Sequence, residues 1–319
     1  MAKGQISIVG LDSIGASLVL AIKQSQPDAF IVGIDAEPGR LRDAMKLGKI
    51  DRNDASLVTG CRDASLIILN VPPSQLRDAF QQIGPVLRDS AVIVDLSPVK
   101  AEVISWATEL LPKPERHLSC HLVLHPQANE NDEPSATLFH GAVLCMTPTT
   151  ETDEVAIKSG SDLARILGAR PYFMDVYEHD GLAAAVEGLP GLVSAAALMA
   201  TTRARVWPEL NQIAGTVFAD TTRSVSHSAL DWGAALVYNK REVLRWLDAF
   251  LGELRQVRQA VDSGDATQLN QWLTEAAQQR AEWLAAKPIA PWNDEEAMPG
   301  PPNELKRLDP MMPGWGQKS

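Results

Sequence analysis

The residues best suited to chemistry lie near the front of the chain, in 5–20, QISIVGLDSIGASLVL. Residues 5–9 form a short apolar run with β-branched side chains and read as a buried strand. Gly10 turns the chain out of that strand. Gly15, Ala16 and Ser17 are small enough for a helix starting near Ser13 to lie close against a sheet. Strand, glycine turn and helix N-terminus together make a cradle for a pyrophosphate, because the first N–H groups of a helix have no partner of their own. The fingerprint of such a turn is G-x-G-x-x-G, and here it runs Gly10-Leu-Asp12-Ser-Ile-Gly15. Gly10, Asp12, Ser13, Ile14 and Gly15 are therefore the candidate pyrophosphate loop. Asp12 is its irregular member. It places a carboxylate where backbone should approach the phosphates, which puts cofactor binding in doubt.

A second apolar run, 31–35 (IVGID), ends in Asp35 about 20 residues beyond the glycines, where an acid normally takes the ribose 2′-hydroxyl of NAD. Asp35 would repel the extra phosphate of NADP, while Arg40 nearby keeps NADP as the alternative. The bland reading of Asp35 is a turn or cap residue after a strand. Val71 and Pro72, just past the apolar run 65–70, complete the candidate cofactor set.

Other reactive side chains group less convincingly. His117, His121 and His125 would share a stripe on a helix, but HLSCHLVLHP alternates and reads as a strand. Four strand residues span roughly 13 Å, too far for two of these rings to share one ion, so no metal site is expected. Glu178-His179-Asp180 is read as capping and orienting a linking helix. His227 and Asp231 are read as an exposed helical pair.

The elements that must hold these residues follow from periodicity. Strands and helices alternate through 1–174: strands near 65–70, 91–96, 118–124, 142–146 and 171–174, and helices near 41–47, 75–83, 102–111 and 151–167. Repeated β-α units imply a mostly parallel, Rossmann-like α/β sheet with its ligand at the strand carboxyl ends. From 178 to 285 only helical periodicity remains, broken at 188–191, Pro208 and 263–264. Trp246, Leu247, Phe250, Leu251 and Leu254 recur at helix spacing. An all-helical domain, 175–286, with such apolar faces is expected to form a homodimer. The remainder, 287–319, is rich in proline and reads as a tail without regular structure.

Composition sets the outer limits. With 319 residues and 45% hydrophobic content the chain suits two domains with a sizeable core. A net charge of −11 argues against nucleic acid or an anionic membrane as partner. Cys61, Cys120 and Cys145 are scattered and suggest neither disulfides nor zinc. The start, Met1-Ala-Lys-Gly, carries no signal-peptide pattern, so the cytoplasm is the default. The apolar stretch 182–200 contains Glu187, Gly188, Pro190 and Gly191 and is expected to be a buried helix pair, not a membrane span.

In order and motif the chain resembles the prephenate and arogenate dehydrogenases of tyrosine biosynthesis. The resemblance spans about 5–254 and rests on IVGLDSIGASL, AMKLGKID at 44–51, VDLSPVK at 94–100, LHP at 124–126, CMTP at 145–148, ILGARPYFMDVYEHD at 166–180, AAVEGLPGLVSAA at 184–196 and TTR at 221–223. It implies oxidative decarboxylation of a cyclohexadienol, with hydride passing to NAD or NADP. It implies that His125, matching the H-P-x-A-G histidine, hydrogen-bonds the ring hydroxyl and assists proton removal, a role suited to a group that titrates near neutrality. Arg223 matches an arginine beside the substrate, where a guanidinium binds a carboxylate bidentately; its bland reading is a surface ion pair. Ser97 is the nearest hydroxyl to the family's G-S-V-K serine, whose own place holds Pro98. The family's S-H-L-P-H is here Glu187-Gly-Leu-Pro-Gly191, and the arginine of F-R-D-x-T-R is Ala219. The acidic run Glu130, Asp132 and Glu133 after His125 opposes a dianionic substrate. These departures leave two alternatives: an inactive relative acting as a binding or scaffolding protein, and an oxidoreductase with a less anionic substrate.

Overall fold

The protein, described as a computed structural model, is resolved here over residues 4–128, 133–226 and 229–287. Eight strands form one sheet: β1 (Gln5–Val9), β2 (Phe30–Ile34), β3 (Arg52–Asp54), β4 (Ala64–Leu69), β5 (Val92–Asp95), β6 (His117–Val123), β7 (Val143–Met146) and β8 (Arg170–Phe173). Their order is β3-β2-β1-β4-β5-β6-β7-β8. All pairings are parallel except β6 with β7. The chain starts at β1 near the middle, runs outward to β3, then returns past β1 to β4. That reversal places a crevice at the carboxyl ends of β1 and β4, where sheets of this kind bind ligands.

The strands are apolar on both faces, as helix-covered parallel strands are. On β4, Leu66 and Ile68 enter one core with Ile8, Leu18, Leu118 and Leu163, while Ile67 and Leu69 enter the other with Val9, Phe80, Val103 and Trp106. Helices α1 (Ser13–Ser25) and α6 (Glu154–Leu167) supply the first face. Helices α3 (Leu57–Cys61), α4 (Pro73–Ile83) and α5 (Ala101–Leu110) supply the second. Helix α2 (Pro38–Lys46) flanks β2 with Leu41 and Ala44 buried.

After β8 the chain is helical: α7 (Val176–Ala183), α8 (Leu189–Thr202), α9 (Trp207–Ile213), α10 (Thr216–Thr222), α11 (Ala229–Tyr238), α12 (Lys240–Ser263) and α13 (Ala266–Ala285). Gly264, left-handed at φ 70°, ends α12 and lets α13 fold back along it. Trp246 of α12 fastens the helical part to α7 by donating from Nε1 to the Gly181 carbonyl at 2.9 Å.

Four details differ from the sequence reading. Strand β3 is an additional edge strand, polar and three residues long, with no hydrophobic pattern to reveal it. Helix α2 begins at Pro38, since proline is favoured in a first turn. The expected break at 188–191 is not a break. A π-helical turn, Ala184–Gly188, joins α7 and α8 into one helix from Val176 to Thr202, and Pro190 sits in the first turn of α8. Finally, Asp175, not the Glu178–Asp180 group, caps α7, accepting from Tyr177 and Glu178 N–H. The His227–Asp231 pair and Trp292 and Trp315 of the tail lie outside the described side chains.

Candidate active site

The glycine turn follows from close packing. Gly10 has φ 89°, and a Cβ there would stand 1.9 Å from the Asn70 carbonyl oxygen. A Cβ on Gly15 would stand 1.9 Å from the Gly10 oxygen. Both positions admit only glycine. Asp12 adopts ordinary extended backbone, φ −66°, and is the N-cap of α1. Its Oδ1 accepts from Gly15 N at 3.0 Å and from Asn70 Nδ2 at 2.8 Å. The carboxylate thus sits on an N–H that a helix-bound phosphate would take. Ser13 and Ile14 begin α1 beside it, Ile14 packed against the core. Val71 is half-buried, and Pro72 leads into α4.

Asp35, just past β2, is buried, with Oδ2 accepting from Leu11 N and Oδ1 from Glu37 N, both at 2.8 Å. It therefore holds the glycine turn in place. Arg40 lies 4.0 Å from Asp35 and 3.5 Å from Glu37. A pyrophosphate on the first turn of α1 would have to take Gly15 N from the Asp12 carboxylate.

At the carboxyl end of β5 lies a charged core that the sequence reading did not single out. Asp95 and Lys100 are fully buried and 3.5 Å apart. Lys100 Nζ donates to Ser119 Oγ at 3.0 Å and to the Cys120 carbonyl. Asp95 bonds His117 Nε2 at 2.8 Å and accepts from Ser97 N at 3.0 Å. Burial alone would raise the Asp95 carboxyl; the Lys100 charge and the His117 bond outweigh it and hold the group below its ordinary range. VDLSPVK contained the signal, an acid and a lysine at the end of an apolar strand. Ser97 is buried as well, its Oγ accepting from Val99 N at 3.2 Å. Its hydroxyl shapes the β5–α5 turn, and Pro98 and Val99 face the cleft in its stead.

The two parts of the molecule meet along a line of hydrogen bonds. Glu187 Oε1 lies 3.2 Å from His121 Nε2, His121 Nδ1 lies 3.0 Å from His179 Nε2, and His179 Nδ1 lies 3.1 Å from Asp180 Oδ1. Asp180 then accepts from Lys100 N at 2.8 Å and Ala101 N at 3.0 Å. A carboxylate of the helical part thus caps α5 of the sheet part. The line is continuous when His179 donates from Nδ1 to Asp180 and accepts at Nε2 from His121 Nδ1. Burial pushes His179 down to about 4, against the pull of Asp180. Glu187, which burial would raise, is held low by His121, with His179 and Lys100 adding to it.

His125 follows β6. It is buried, with Nδ1 accepting from Gln127 N at 3.2 Å and Nε2 2.8 Å from the carbonyl of Lys287, just past α13. That pairing puts the ring proton on Nε2. Arg223 is an exposed residue donating to Asp220 Oδ1 at 2.6 Å. Geometry here favours its bland reading. Glu130 and Asp132 lie outside the described residues.

Between the two parts runs a narrow cleft of about 30 Å³, lined by Pro98, Val99, Glu187, Gly188, Trp232 and Asn239 among others. A Cβ on Gly191 would stand 1.7 Å from the Trp232 ring, so the indole fills the space next to that glycine.

A doubly covered, mostly parallel sheet with a glycine turn, joined to a helical part across a cleft, defines a nucleotide-binding oxidoreductase architecture. The profile of the prephenate dehydrogenase nucleotide-binding domain matches residues 18–173, and that of the prephenate dehydrogenase dimerization domain matches 175–275. The chain belongs to the prephenate dehydrogenase family. It is 28% identical over 280 residues to prephenate dehydrogenase of Bacillus subtilis, covering 87% of this chain and 76% of that one. It is also 28% identical over 289 residues to cyclohexadienyl dehydrogenase of Zymomonas mobilis, covering 86% and 94%. The fold matches the crystal structure of prephenate dehydrogenase from A. aeolicus in complex with hydroxyphenyl propionate and NAD+, at TM-score 0.80 and 23% identity, over 88% of this chain and 99% of that one.

Proposed function

We propose that this protein is an NAD-dependent dehydrogenase that oxidises and decarboxylates a cyclohexadienol of the prephenate or arogenate type. The observation that supports it most is the Gly10–Gly15 turn, sterically closed to any other residue, at the crevice of a chain matched to this family over both parts. Bound NAD+ supplies a hydride acceptor. The first N–H groups of α1 hold its pyrophosphate and Asp35 its ribose. NAD is favoured over NADP because Arg40 is shared between Asp35 and Glu37, whose carboxylates would oppose a 2′-phosphate.

His125 is the acid/base group. In the described state Nε2 carries the proton, so His125 first donates to the substrate hydroxyl. To accept the hydroxyl proton at Nε2 the ring must give up its Gln127 bond and move its own proton to Nδ1. The Lys287 carbonyl must also leave. Ser97 acts through the turn it shapes, and Arg223 would anchor a carboxylate only after releasing Asp220. The cleft wall of Pro98, Val99 and Trp232 is apolar.

The helical part forms a homodimer: Leu251, Leu254, Val261 and Leu273 are exposed apolar residues on α12 and α13. Val176–Thr202 is long and apolar enough to cross a membrane by composition, yet it carries His179, Asp180 and Glu187, bonded to the sheet part. That favours a cytoplasmic enzyme acting on a small molecule.

A second reading, an inactive scaffolding relative, is favoured by the Asp12 carboxylate on Gly15 N. Calorimetry with NAD(H) and NADP(H) separates the two. Micromolar binding, about −8 kcal/mol, of NAD(H) is expected. No binding of either at millimolar concentration would exclude the dehydrogenase.

A further inference from the structure

The bond between His125 Nε2 and the Lys287 carbonyl joins residues 162 apart in the chain, and local chemistry explains why a carbonyl is on offer there. Helix α13 ends at Ala285, and the last carbonyls of a helix have no partner within it. Lys287 N closes the final turn on the Leu284 carbonyl at 3.2 Å. The next residue in the sequence is Pro288, which disfavours helical backbone at Lys287 and has no N–H to extend the helix. The Lys287 carbonyl therefore stands unsatisfied at the negative end of the helix dipole, a good acceptor for an imidazole N–H. The Lys287 charge is also felt at the sheet. Burial pushes the Cys145 thiol of β7 up to about 11, and the Lys287 ammonium is among the charges that work against this rise.

The two sides of the contact are held very differently. His125 is buried at the end of β6. Helix α13 runs back along α12 after Gly264 but has no buried residue of its own, so its end can move away while uncovering little apolar surface. A buried acid/base group closed by the end of a loosely packed helix is a removable cover, not a core contact.

We propose that the end of α13 is an autoinhibitory strap: the Lys287 carbonyl occupies the place on His125 Nε2 that the substrate hydroxyl needs, and substrate must displace it to bind. The proposal rests on the dehydrogenase reading, and it assigns to the end of α13 a control over that site. Strap and substrate compete for one N–H. Only the fraction of molecules with the strap released binds substrate, so the strap raises KM by the inverse of that fraction and leaves kcat alone. One hydrogen bond of ordinary net strength sets that factor at about two- to tenfold.

The test compares KM and kcat for prephenate and arogenate, at saturating NAD+, in four proteins: the full chain, the full chain with Leu284→Glu, a chain ended at Pro288 and a chain ended at Ala286. Leu284 is the half-buried residue of the last turn of α13, so a charge there loosens the strap without shortening the chain. The chain ended at Pro288 keeps the Lys287 carbonyl; the one ended at Ala286 lacks it. Leu284→Glu and the Ala286-ended chain should show KM lowered about two- to tenfold with kcat unchanged, and the Pro288-ended chain should behave as the full chain. Unchanged KM in both altered proteins, an equal fall in the Pro288-ended chain, or a loss of kcat without Lys287 would overturn the strap and leave the dehydrogenase reading standing. Absence of turnover in all four would count against the dehydrogenase reading, and histidine ring NMR would then decide the strap. His125 resonances that differ between the full and Ala286-ended chains but not between the full and Pro288-ended chains support it; resonances identical in all three overturn it.

Discussion

Replacing Asp12 with glycine should strengthen cofactor binding. The Asp12 carboxylate accepts from Gly15 N at 3.0 Å, so a phosphate oxygen taking that N–H would lie roughly 4 Å from a like charge. Two unit charges at ~4 Å cost about 4 kcal/mol at an intermediate dielectric and about 1 kcal/mol in bulk water. Asp12 is solvent-exposed, so screening brings the cost to about 1–2 kcal/mol. Against this, an N-cap change from aspartate to glycine loses only a few tenths of a kcal/mol. Glycine also restores close backbone approach. The net expectation is NADH binding tighter by roughly five- to thirty-fold, read by calorimetry. The gain should shrink as salt rises, because the repulsion is screened. Equal or weaker binding by Asp12→Gly would refute the reasoning and mean that the carboxylate helps to seat the cofactor.

Other consequences concern stability and access. Lys100→Met leaves Asp95 buried without its cation, which should cost about 3–5 kcal/mol and lower the melting temperature by several degrees; calorimetric melting that moves less than a degree would show the pair to be dispensable. His179 titrates at about 4 in the folded protein against an ordinary 6.5. Between those values the unfolded chain binds a proton that the folded one refuses, so stability falls as pH falls, by on the order of 3 kcal/mol in all. Urea titrations at several pH values should show this slope, and His179→Gln should flatten it. Ending the chain before Lys287 removes the carbonyl on His125 Nε2. Modification of His125 by diethyl pyrocarbonate, followed by mass spectrometry, should then quicken; an unaltered rate would mean the contact does not cover the ring.

The fold was legible where residue pattern and burial coincide. Apolar strands such as 65–70 and the glycine turn could be read directly, because a strand buried on both faces must be continuously apolar. Strand β3 could not, since Arg52, Asn53 and Asp54 carry no such pattern and join the sheet only through backbone pairing with β2. The helix through 184–191 misled for a related reason: its glycines and proline are breakers in isolation, yet a π-turn and a first-turn proline accommodate them. At the site, Asp12 and Asp35 could be placed from spacing, but what each carboxylate accepts could not. The Asp95–Lys100–His117 core and the line from Glu187 to Asp180 join residues far apart in sequence, and tertiary packing alone assembles them. The motif match at Arg223 likewise did not show that its guanidinium donates to Asp220.

The most direct test of the account is to mix the full chain with NAD+ and, separately, prephenate or arogenate, and follow NADH together with released carbon dioxide. The account predicts NADH and carbon dioxide in equal amounts with at least one substrate, and a rate lowered about 10²–10⁴-fold in His125→Asn while cofactor affinity is retained. Binding of cofactor and substrate without NADH formation, or a rate indifferent to His125→Asn, would contradict it.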